Sequence, residues 1–132
     1  MGHLDSSNHP KQSDLNGLQE ITREVRVIRV PNLRSGEAPR ATIVLGEFST
    51  SEDLLSLFTG LEIDESVPGG WTCATWTEIQ IEFLPSGDRL MTMYGDLRWM
   101  GKWYGDAQLL SPRKILEWFS DRGLGNLKAH ED

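Results

Sequence analysis

A chain of 132 residues is long enough for one hydrophobic core and too short for two of ordinary size, so a single domain is expected. Thirteen Lys and Arg against twenty Asp and Glu leave a formal charge of −7 with no basic run. That balance argues against nucleic acid and anionic membrane as partners and favours encounter with a basic one. The lone cysteine, Cys73, can form no internal disulfide, and neither a signal-peptide core nor an apolar run of about eighteen residues occurs, so cytoplasmic residence is the expectation.

Residues 1–20 hold His3, His9, Pro10 and many small polar groups, and this composition predicts a mobile segment that cannot offset the entropy of ordering. The domain is expected over 21–127, followed by a loose tail at 128–132. Glu24 to Val30 is rich in β-branched residues and reads as a strand stopped by Pro31. Ala41 to Phe48 reads as its hairpin partner. Ser49-Thr50-Ser51-Glu52 is a helix start in which Glu52 is placed to reach back to the cap, and Leu54, Leu55, Phe58 and Leu61 follow at helical spacing.

Further on, Ile79, Ile81 and Phe83 alternate with Glu78, Gln80 and Glu82, which predicts a strand with one dry and one wet face. Leu84-Pro85-Ser86-Gly87-Asp88 turns it back into Arg89 to Tyr94. Ser111, Pro112 and Gly123 bracket a final helix carrying Ile115, Trp118 and Phe119. The order implies an α+β fold: an antiparallel sheet of four or five strands with two short helices on one face, the other face being left to water or a partner.

The chemistry-bearing residues are sparse. All three histidines lie in the predicted loose ends, and no His or Cys ligand set or Gly-rich phosphate loop occurs, so no catalytic histidine, metal site or cofactor is expected. The remaining acid–base material is Glu78, Glu82, Asp96 and Asp106, whose pairing in a carboxylate-dependent enzyme is the third and least favoured reading behind a plain solvated face. Cys73 reads as a small hydrophobe in the sheet rather than a reactive thiolate. Two binding surfaces remain. Trp76, Glu78, Gln80 and Glu82 would line one face of one strand, an aromatic anchor among acids that suits a basic protein. Alternatively, Arg98, Trp99, Trp103, Tyr104 and Asp106 combine rings and charges as a carbohydrate or small-molecule site does. Against that second surface stands a core role in which Trp99, Trp103 and Trp118 lock the last helix to the sheet.

Thr72-Cys73-Ala74, Ile79 to Phe83, Leu97-Arg98-Trp99, Trp103-Tyr104-Gly105-Asp106-Ala107-Gln108-Leu109 and Glu117 to Leu124 together resemble a pattern in small uncharacterised bacterial proteins. The resemblance covers roughly the last half of the chain and implies a bacterial origin and a shared fold. Those relatives often carry a second Cys and a His where this chain has Ala74-Thr75 and Tyr94-Gly95. Small size, a single domain, acidity and the lack of catalytic groups, rather than the resemblance, make the expected function a non-enzymatic protein-binding domain of immunity or antitoxin type, with a homodimer as a further way to cover an exposed strand face.

Overall fold

The computed structural model describes residues 9–29, 42–66, 79–93, 96–100 and 107–124. Its elements run α1 (Gln12–Ile21), β1 (Glu24–Arg29), β2 (Ile43–Phe48), α2 (Ser51–Gly60), β3 (Ile79–Leu84), β4 (Asp88–Met93), β5 (Asp96–Trp99), β6 (Ala107–Gln108) and α3 (Pro112–Asp121). The fold is α+β. Its sheet is antiparallel with strand order β2-β1-β3-β4-β5-β6, so it has six strands where four or five were expected.

Alternation along the strands builds the core. Val27 pairs with Ile81, Ile81 with Leu90 and Leu90 with Trp99, so these four side chains share one face, together with Val25, Phe83 and Leu97. All are buried. The helices lie on this face: Leu57 and Phe58 of α2 and Ile115 and Trp118 of α3 belong to the same cluster.

Leu15 and Leu18 of a third helix join them, which corrects the expectation of mobility over 12–20. Helix α1 is held by more than its two leucines. Asp14 accepts the Lys11 N–H at 2.9 Å and so closes the first turn. Gln12 joins the 63–65 segment twice, its side-chain oxygen accepting the Ile63 N–H at 2.8 Å and its own N–H donating to Glu65. The domain therefore includes residues before 21.

Turn chemistry fixes the remaining connections. Gly87, at φ +84°, closes the β3–β4 hairpin in a conformation that side chains with a Cβ rarely adopt. Thr50, not a Ser49–Glu52 pair, caps α2 by accepting the Asp53 N–H at 3.1 Å. Helix α3 ends in a Schellman motif, with Gly123 at φ +78° donating to the Ser120 carbonyl and Leu124 to that of Phe119.

The sheet face away from the helices differs from the wet face read from the sequence. One row across it is charged: Glu47 faces Arg26, Arg26 faces Glu82, and Glu82 faces Arg89. The signs alternate, with ion pairs of 3.2 Å for Arg26–Glu47 and 3.4 Å for Arg89–Glu82. Beside that row Ile28, Gln80 and Met91 are buried. Gln80, expected to be wet, is only 7 % exposed and its Oε1 is buried without a hydrogen-bond donor.

Candidate functional site

The two surfaces expected from the sequence fare differently once placed on this frame. Of the strand-face set, Trp76 and Glu78 lie outside the described residues, Gln80 is buried, and Glu82 is flanked by Arg26 and Arg89 and paired with the latter. Its described members are thus not a free acidic stripe, because cross-strand pairing puts a cation on each side of the one carboxylate. Of the second set, Trp103, Tyr104 and Asp106 lie outside the described residues, as does Cys73. Arg98 and Trp99 are neighbours on β5 and so point to opposite faces of the sheet. Trp99 is buried on the helix side, and its ring N–H donates to Asp88 at 3.1 Å. That places Trp99 in the core.

A different surface emerges where α2 and α3 run side by side. Gly60 lets them approach, since a Cβ there would lie 3.3 Å from the Ile115 backbone nitrogen. The contact is then locked by polar groups that would otherwise be orphaned. The Trp118 ring N–H donates to the Asp53 carbonyl at 3.0 Å. The Arg122 guanidinium lies 4.4 Å above the Trp118 ring and donates to the Asp53 carboxylate from Nε at 3.0 Å and from Nη2 at 2.6 Å. It also reaches the Trp118 carbonyl and the Ser56 hydroxyl. Asp53, third residue of α2, spends its carboxylate on Arg122 rather than on its own helix end.

Above this lock lies a groove of about 550 Å³. One wall is Glu52, Leu55, Ser56 and Thr59 of α2, and the other is Lys114, Glu117, Trp118 and Asp121 of α3, with Arg122 at the end. Each wall is a helix stripe at i, i+3, i+4 and i+7, which is why the residues line up. Leu55, at 60 %, is the most exposed large hydrophobic side chain among the described residues. Among the described residues Glu52, Glu117 and Asp121 have no ion-pair partner, whereas the Arg122 charge is matched by Asp53. Three free carboxylates against the one ammonium of Lys114 leave the rim acidic around the exposed Leu55. The volume falls in the range of ordinary ligand sites, roughly 300 to 1,000 Å³.

This groove was not legible as a site in the sequence. Leu55 falls at helical spacing with Leu54 and Phe58 and so reads as part of the buried stripe rather than as a surface anchor. Among the described residues no three His, Cys, Asp or Glu side chains form a group able to hold a metal, and no helix is long and apolar enough to cross a membrane. No protein-family model, curated protein or solved structure matches the chain.

Proposed function

We propose that this domain is a non-enzymatic binding module that captures a basic protein partner in the α2–α3 groove, in the manner of an immunity or antitoxin protein of bacterial origin. The observation that carries the reading is the exposed Leu55 set among unpaired carboxylates in a groove whose two helices are joined by Arg122 and Asp53. An apolar anchor supplies buried area, and the surrounding acids, acting with a chain charge of −7, steer a cationic surface towards it. Binding fits these walls because the two helices that carry them are already joined through Asp53, Trp118 and Arg122, so association need not first bring the walls together.

The test is the affinity of the whole protein for a short leucine–lysine peptide, measured at low and high salt. Affinity should fall as salt rises, and Glu117→Lys with Asp121→Lys should weaken it by about tenfold while leaving the thermal midpoint unchanged, since both side chains are exposed. Glu47→Lys, on the far face of the sheet, should leave the affinity unaltered. Equal loss from both reversals would mean that charge alone, and not the groove, governs capture.

A further inference from the structure

We infer that the occupant of the groove is an amphipathic helix of the partner, carrying an apolar side chain for Leu55 and Lys or Arg residues for Glu52, Glu117 and Asp121; this rests on the binding reading above. Two features of the walls select a helix over an extended peptide.

The first is the absence of free main-chain groups to pair with. Both walls are α-helices, whose N–H and C=O groups are internally bonded along their length. The wall hydroxyls donate to their own helix, Ser56 Oγ to the Asp53 carbonyl at 3.1 Å and Thr59 Oγ1 to the Leu55 carbonyl at 2.9 Å. An extended peptide pressed into the groove would lose water from its backbone groups facing the walls and gain few partners in return. A helix carries its own hydrogen bonds.

The second is length. Seven residues of helix at about 1.5 Å each make each wall roughly 10 Å long. An extended chain crosses that distance in about three residues, so it presents only one or two side chains to each wall. Two turns of helix present four on one face, at the same i, i+3, i+4 and i+7 spacing as the walls, which is how a third helix seats between two others. The chain's own described helices offer no such basic stripe: α1 has no Lys or Arg, and α3 has only Arg113 and Lys114, at its start.

Two leucine–lysine peptides of identical composition separate the possibilities, one patterned at helical spacing and one in strict alternation. Each is titrated into the whole protein and into Leu55→Asp, a change at an exposed position that leaves the fold intact. The helical pattern should bind at least about tenfold more tightly, gain helical circular dichroism on binding, and lose its affinity in Leu55→Asp. If both peptides bind equally and both depend on Leu55, the helix inference fails and the binding reading stands. If neither binds, both fail. Sedimentation of the protein alone checks the remaining occupant: self-association abolished by Leu55→Asp would overturn a foreign helix in favour of a second copy of this chain.

Discussion

Ile81→Asp should leave the chain unfolded at 25 °C. Ile81 is 2 % exposed, pairs directly with Val27 and Leu90, and sits in the cluster that joins the sheet to all three helices. A carboxylate there would have no partner, and its desolvation together with the lost packing costs more than about 4 kcal/mol, comparable with the total stability of a small domain. The adjacent residue provides the contrast. Glu82→Lys lies on the other face and places a third cation between Arg26 and Arg89, so it should cost roughly 1–2 kcal/mol by turning two favourable cross-strand neighbours into repulsive ones. Far-UV circular dichroism with urea unfolding measures both. A folded Ile81→Asp protein would reverse the facing of β3 and with it the position of every element above the sheet.

Asp53→Ala should be the most damaging change among the polar residues of the helix pair, at roughly 2–3 kcal/mol. The substitution keeps the backbone carbonyl that Trp118 uses but removes the acceptor of two Arg122 hydrogen bonds, leaving a guanidinium that is only 15 % exposed without its counter-charge. Breaking such a pair costs more than removing both members, so Asp53→Ala combined with Arg122→Met should be more stable than Asp53→Ala alone. Denaturant midpoints at constant m-value are the readout. A double variant less stable than the single one would show that Arg122 is held by Trp118 and Ser56 rather than by Asp53.

How legible these features are in the sequence depends on whether the signal is local. The β3–β4 hairpin, α2 and α3 are readable because alternation, helical spacing and caps such as Pro112 and Gly123 occur within a few residues of what they specify. Helix α1 is hidden because its composition is polar. Its order comes from Leu15 and Leu18 landing on a distant core and from Gln12 bonding the 63–65 segment, and the three-residue spacing of Leu15, Leu18 and Ile21 was the only local sign. Gln80 and Glu82 differ from what alternation predicts for a related reason. Period-two alternation assigns them a face but does not say what stands beside them, and here the neighbours are Ile28 for one and two arginines for the other.

The candidate site is the least readable part. Its walls come from segments some sixty residues apart, and from each alone the groove residues other than Leu55 and Trp118 read as an ordinary solvated helix side. Only the tertiary contact, through Gly60, Asp53 and Arg122, turns two such sides towards each other. Leu55 illustrates the point: by spacing it belongs with Leu54 and Phe58, yet it is exposed, because α2 buries a narrower stripe than its apolar residues would fill.

The central claim is that capture occurs between α2 and α3, and the most direct measurement is an amide chemical-shift map of the whole protein titrated with the helix-patterned leucine–lysine peptide. The account predicts saturable shifts confined to α2, α3 and the Arg122 side chain, with Glu47, Glu82 and the rest of the far sheet face unmoved. Shifts centred on that far face, with Leu55 and Glu117 silent, would contradict it.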